Sequence, residues 1–275
     1  MVGHTIESVE VRNRRIFPND EKEIIGGKVK GVRRFGKVVV LDLSNGNSIV
    51  AHVKLTGQFI YRGPNLKNPP ELSRKVFGGL GGNHTHVVFD LDRGGKLYYN
   101  DVRRFGWVKI TQSSDVKGQS FISKLGPEPF KDLTLAKFRD ILGSTRRAVK
   151  VVLMDQAKMG GVGNIYANDS LWLSAISPRM PADRLSSGQV KSLHEAIEKV
   201  LKDGLKYGGA SELAFVTPDG GEGEYQEHFL VYGQQGEPCE RCHRGKIEKF
   251  TLGGRGTYWC PVCQKESKSV NQLFD

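Results

Sequence analysis

Four cysteines stand as Cys239-x2-Cys242 and Cys260-x2-Cys263, with seventeen residues between the pairs, and they are the only cysteines of the 275-residue chain. A CxxC turn aims two thiolates at one ion, and a second CxxC completes a tetrahedral shell. Four thiolates leave no open coordination position, so the spacing implies one structural Zn2+ and not a catalytic one. Their confinement to one short segment argues against a disulfide framework. The stretch from about Glu237 to Lys265 is too small to bury a core of its own and needs such a staple. Between the pairs, Ile247–Gly256 has strand-turn-strand character, which suits a zinc hairpin. Residues 239–265 carry six Lys and Arg against two Glu, a local excess of four positive charges, as expected of a module that touches phosphates.

The same bias runs through the chain: 41 Lys and Arg stand against 30 Asp and Glu, for a formal net charge of +11. A positive field of this size attracts polyanions, with nucleic acid the first expectation and an anionic membrane surface the second. Met1–Glu10 lacks the apolar stretch of a secretory signal, and apolar runs such as Val38–Leu41 are far too short to span a bilayer. The expectation is a soluble cytoplasmic protein, associated with the nucleoid only through DNA.

The elements that must carry these groups change character along the chain. Lys37–Leu43 and Ser48–Leu55 read as strands joined at Asn45-Gly46, a strong hairpin signal. His86–Asp92 and Lys96–Asn100 form a second pair around Arg93-Gly94-Gly95, and the Pro- and Gly-rich Tyr61–Gly82 reads as a long connection. The first hundred or so residues are therefore expected to form a sandwich or barrel. Helical periodicity begins after Lys124, with Leu133–Leu142 capped by Asp132 and a longer helix over Gly188–Tyr207. That longer helix places Val190, Leu193, Ile197, Val200, Leu201 and Leu205 on one face and stops at Gly208-Gly209. The polar residues 112–124 read as a linker.

Several segments, in order, resemble the formamidopyrimidine-DNA glycosylase family. They are Lys37 within RRFGKVVVLDL, His52–Gln58 (HVKLTGQ), Asn83–Val87 (NHTHV), Tyr99–Trp107 (YNDVRRFGW), Leu125–Pro129 (LGPEP), Met154–Tyr166 (MDQAKMGGVGNIY), Val231–Pro238 (VYGQQGEP) and Gly253–Cys263 (GGRGTYWCPVC). The resemblance spans nearly the whole chain and implies an α+β multi-domain protein. Its parts would be an N-terminal β-sandwich over 1–112, a helical helix–two-turn–helix domain over 125–222 and a zinc-finger β-hairpin over 231–265. It further implies a monomeric enzyme that binds double-stranded DNA, excises oxidised purines and cuts the backbone at the resulting abasic site.

Chemistry on a stacked base requires its extrusion, so such a protein must grip phosphates and fill the gap left behind. The resemblance assigns gap filling to Leu55, Arg103 and Phe105. Leu55 takes a place usually held by Met. Asn164, at a helix start after Gly160-Gly161-Val162-Gly163, is implied to hold phosphate from one side, and Arg255 from the other. His84, Arg146 and Lys150 align with further DNA-contacting positions. Lys37 matches a lysine implicated in β-elimination, and Arg255 an arginine associated with δ-elimination.

In this family the resemblance places the nucleophile on the secondary amine of an N-terminal proline, with a glutamate beside it. Neither residue, nor the helix that would present them, is among the 275 residues, whose Met1-Val2-Gly3-His4-Thr5-Ile6 matches the family only after its first helix. A start upstream of Met1 is one expectation, since loss of that helix would expose apolar surface in the sandwich. A protein that binds damaged DNA without cutting it is the other. An unrelated zinc-ribbon protein would explain the cysteines and the charge but not the other motifs. Gly208–Phe229 corresponds to the family's base-capping loop and carries Gly221-Glu222-Gly223-Glu224-Tyr225 where Lys-Pro-Gly-Tyr-Phe is usual.

Overall fold

A computed structural model describes residues 1–265 of the chain. It divides into two compact units, the first made of Met1–Ser123 with Tyr207–Gln226, the second of Lys124–Lys206 with the described residues from Glu227 on. Residues 207–222, which the sequence groups with the helical half, thus fold with the β unit.

The first unit is a pair of four-stranded antiparallel sheets. One has the order β2 (Val29–Phe35), β3 (Val38–Leu43), β4 (Asn47–His52), β8 (Trp107–Gln112). The other has the order β1 (Ile6–Val11), β6 (Thr85–Leu91), β7 (Gly95–Asp101), β5 (Gly57–Arg62). The Asn45-Gly46 hairpin forms as expected, with Gly46 at φ 87° and Val40 opposite Val50. The second predicted strand of that hairpin stops at His52, because the chain turns through Lys54 at φ 50°.

Side-chain alternation explains why β3 and β4 are buried on both faces. Leu41, Leu43, Ile49 and Ala51 face a core shared with Ile6, Phe17, Phe89, Leu97 and Tyr99. Their neighbours Val38, Val40 and Val50 point to the other face and meet Val116 and Ile122. Each fully buried aliphatic or aromatic side chain contributes roughly 1.5–3 kcal/mol. The segment expected to be a polar linker is therefore packed: a 3-10 turn over Ser113–Gly118 and a short helix α1 (Ser120–Ser123) lay Val116 and Ile122 on the sheet.

In the second unit, α2 (Leu135–Gly143) is capped by Thr134, whose hydroxyl accepts from the Lys137 amide at 3.3 Å. Asp132, the cap expected from sequence, accepts instead from the amide of Glu128 at 2.8 Å. Helices α3 (Val149–Met154), α4 (Asn164–Leu173) and α5 (Ser187–Lys206) follow. The amphipathic stripe of α5 buries Val190, Leu193, Ile197 and Val200, but Leu205 in the last turn is 75% exposed. Gly204 lets α4 approach, since a Cβ there would stand 2.6 Å from the Tyr166 hydroxyl. The zinc hairpin pairs β9 (Glu248–Leu252) with β10 (Arg255–Trp259). Among the described residues no helix is long and apolar enough to cross a membrane.

Candidate nucleic-acid interface and zinc centre

Strand register gathers one set of predicted residues at a single end of the sandwich. Val38, His52 and Trp107 are aligned across β3, β4 and β8, so Lys37, Leu55 and Phe105 lie just beyond that line. In the other sheet Gly57 pairs with Asp101 and Thr85 with Asn100, which brings Arg103 and His84 to the same end.

A buried carboxylate organises this end. Asp101 is fully buried, and its Oδ2 accepts from the amide of Gly106 at 2.7 Å. Its Oδ1 accepts from the Thr56 hydroxyl at 2.5 Å and from the Arg103 amide at 3.2 Å. One side chain thus ties the turn holding Leu55 to the turn holding Arg103 and Phe105. Gly106 has no room for a side chain, because a Cβ would fall 1.9 Å from the Tyr99 hydroxyl. What emerges from the tied turns is apolar and cationic: Leu55 is 48% and Phe105 57% exposed, and the Arg103 guanidinium lies 4.8 Å from the Phe105 ring centroid. Exposed apolar side chains on a rigid turn, with a cation stacked on one of them, suit insertion between bases beside a phosphate.

The local field is positive. The His52 imidazole is pushed down to about 4, first by burial and then by Lys54 and Lys37, so it is neutral near pH 7. Its Nδ1 accepts from the Lys54 amide at 3.0 Å, which fixes the turn leading to Leu55. Lys37 is exposed in the β2–β3 turn. His84 is half-buried, and its Nδ1 has no hydrogen-bond partner among the described residues. Sequence spacing alone does not mark Asp101 or His52; the signal for Asp101 is an acidic residue five before a glycine in a turn flanked by strands.

A second gathering lies in the helical unit. Gln156 builds the glycine turn, accepting from Gly161 N at 2.9 Å and donating to the Val162 carbonyl at 2.9 Å, and α4 then starts at Asn164. Lys150 is fully buried and donates to the carbonyl of Gly256 at 2.8 Å and the hydroxyl of Thr257 at 2.7 Å. Asn164 Nδ2 donates to the same Gly256 carbonyl at 3.2 Å. Burial first, and the neighbouring Arg255 second, push the Lys150 amine down to about 7. Lys150 and Asn164 therefore hold the start of β10, from which Arg255 projects exposed. Arg146 stands apart, its side chain 94% exposed and 3.7 Å from Asp183.

The four cysteine sulfurs lie within 4.8 Å of one another. The Cys239–Cys263 and Cys242–Cys260 separations are both 3.7 Å. A tetrahedron with Zn–S bonds of about 2.3 Å has edges of about 3.8 Å, so the residues fit a zinc ion. Burial pushes the Cys260 thiol up to about 12, so full ionisation of the set calls for a cation among them. The finger is riveted to α4: the Trp172 indole donates to Cys239 Sγ at 3.4 Å, Arg241 stacks 4.9 Å from the Trp172 ring and donates to Cys263 Sγ at 2.7 Å, and Asn168 accepts from Tyr258 N at 2.9 Å. Beside Met1 the sandwich also opens an apolar groove of about 450 Å3 lined by Val32, Val39, Leu41, Phe59 and Pro218.

A two-sheet sandwich with a basic, wedge-bearing end, and a helical unit that clamps a thiolate hairpin, together define a zinc-containing DNA-binding protein. Family models agree: residues 1–108 match the formamidopyrimidine-DNA glycosylase N-terminal domain, 125–215 the H2TH domain of the same protein, and 236–265 the zinc finger found in FPG and IleRS. The formamidopyrimidine-DNA glycosylase of Lactiplantibacillus plantarum is 34% identical over 270 residues, covering 96% of this chain and 93% of that protein. The Bacillus cereus protein of the same name is 36% identical over 272 residues, with coverage of 96% and 93%. The Lactococcus lactis Fpg bound to DNA containing an abasic site superposes with a TM-score of 0.83 at 29% identity, covering 97% of this chain and 94% of that one. The same protein bound to FAPY-dG DNA gives 0.82 at 30% identity, with coverage of 96% and 94%. This chain belongs to the formamidopyrimidine-DNA glycosylase family.

Proposed function

We propose that the protein is a base-excision-repair glycosylase that removes oxidised purines, 8-oxoguanine and formamidopyrimidines, from double-stranded DNA and cleaves the abasic site by β,δ-elimination. It acts on nucleoid DNA in the cytoplasm. The observation that carries this reading is the convergence of Leu55, Arg103 and Phe105 on turns tied by Asp101. Leu55 and Phe105 fill the space left by an extruded nucleotide, and Arg103 faces the unpaired base opposite. Lys37 and His84, at the same end of the sandwich, serve the sugar-phosphate of the extruded nucleotide. In the other unit Arg255, Asn164 and Arg146 take the backbone, with Lys150 setting the hairpin that carries Arg255.

Borohydride trapping on abasic-site DNA tests this, using the 275-residue chain and a version extended at its N-terminus by a helix beginning Pro-Glu. A covalent adduct, with release of 8-oxoguanine from a damaged duplex, supports the enzyme. An adduct only with the extension assigns the nucleophile to those added residues. Tight binding with no adduct from either version makes the protein a binder of damaged DNA that does not cut.

A further inference from the structure

Read as sequence, Glu222 and Glu224 add negative charge to a segment that should approach DNA; in the fold Glu222 is neutralised. Its carboxylate accepts from Lys75 Nζ and, at 2.5 Å, from the Ser73 hydroxyl, and these two partners hold it below its ordinary range. Lys75 Nζ also donates to the Ser211 carbonyl at 2.5 Å. Ser73 and Lys75 belong to the Tyr61–Gly82 connection, which is therefore no idle loop but the surface on which residues 207–226 rest.

The attachment continues inward. β5 lies at the edge of its sheet, where a free row of amides would be a liability. The outward Tyr61 amide donates to the Pro218 carbonyl at 2.8 Å, and Arg62 donates to the Asp219 carbonyl at 2.7 Å. The Ser73 amide donates to the Gly220 carbonyl at 2.9 Å. Val216 packs with Ile60, Val76 and Leu80. At the base Gln58, only 5% exposed, donates through one amide nitrogen to the carbonyls of Lys75 at 2.8 Å and Ala214 at 2.6 Å, joining β5, the connection and the 207–226 segment. A half-exposed ion pair alone would contribute under about 1 kcal/mol; here it closes a set whose inner members are buried.

We propose that Gln58, Lys75 and Glu222 are positioning residues for lesion recognition, which hold residues 207–226 in one conformation before DNA arrives. An extruded base then meets a preformed cap instead of one that must order around it, and the ordering cost is removed from binding. The inference rests on the base-excision reading.

Amide hydrogen exchange and duplex binding test it together, on the 275-residue chain, on Lys75→Met/Glu222→Gln, on the swapped pair Lys75→Glu/Glu222→Lys and on Gln58→Leu. Exchange at Tyr61 and Ser73 should rise about tenfold or more in the first double variant and in Gln58→Leu, and fall back in the swapped pair. Affinity for a duplex bearing 8-oxoguanine should weaken about tenfold in those same variants, while affinity for a tetrahydrofuran abasic-site duplex, which presents no base to cap, stays within about twofold. Unchanged exchange, equal weakening on both duplexes, or faster exchange without loss of 8-oxoguanine affinity overturns the proposal. Should the unaltered chain prefer neither damaged duplex over intact DNA, the base-excision reading fails and the recognition role with it, while the exchange data still decide whether the three residues dock the segment.

Discussion

The ammonium of Lys150 and the carbonyl of Gly256 are joined at 2.8 Å across 106 residues of sequence, so a helix side chain sets the start of the zinc hairpin's second strand. The same amine reaches Thr257 Oγ1, which leaves Lys150 committed to protein acceptors and Arg255 as the exposed cation of the pair. Lys150→Met should weaken DNA binding through loss of hairpin order, with zinc content unchanged, and should add little further loss of affinity in an Arg255→Ala background. Arg255→Ala should lower the slope of log K against log salt by about 0.9. A further slope loss of that size when Lys150→Met is added to Arg255→Ala would mean that the lysine contacts phosphate itself.

Asp101 uses different oxygens for Gly106 and for the Thr56–Arg103 pair. An asparagine offers one acceptor oxygen and can serve only one side. Asp101→Asn should therefore cost about 1–2 kcal/mol and Asp101→Ala about 2–4 kcal/mol, as buried donors lose their partners. Urea unfolding of the two variants reads this directly, and Asp101→Asn should lose affinity for damaged duplex even under conditions where it is fully folded.

His52 gives the first unit an acid sensitivity. Its folded pKa of about 4 lies below the value near 6.5 of an unfolded histidine, so the unfolded chain binds more protons between those limits. Stability then rises with pH across that window, and is lost as pH falls from about 6.5 toward 4, by roughly 1–3 kcal/mol after discounting for partial exposure. His52→Gln should remove that share, so the difference in urea midpoint between parent and variant narrows from pH 7.5 to pH 5. Parallel curves would sink the assignment.

Zinc withdrawal should unfold the finger and leave the sandwich folded. Trp172 in α4 lies against Cys239 and Arg241, so chelation or Cys260→Ser should change tryptophan emission. The expected companion is loss of DNA affinity with the β-sheet circular dichroism retained; a cooperative collapse of the whole chain would contradict it.

Local chemistry made much of this legible in advance. The CxxC spacing determined the metal, the Asn45-Gly46 turn determined a hairpin, and the apolar period over 188–207 determined α5, because each is a matter of residues near one another in the chain. Motif order was enough to place the family, and it nominates Lys37, Leu55, Arg103, Phe105, Asn164 and Arg255 as site residues. Pairings distant in sequence were not legible. Asp101 draws two turns together, Lys150 reaches the hairpin instead of solvent, and Val116 and Ile122 turn a polar-looking linker into a packed layer. Glu222, which by composition alone is a negative charge beside DNA, becomes the neutralised end of a latch because Lys75 and Ser73 sit next to it only in the folded chain. Side-chain type and spacing determine what a residue can do; which partner it meets, and hence whether it binds, positions or merely packs, was decided by strand register and by what each unit buries.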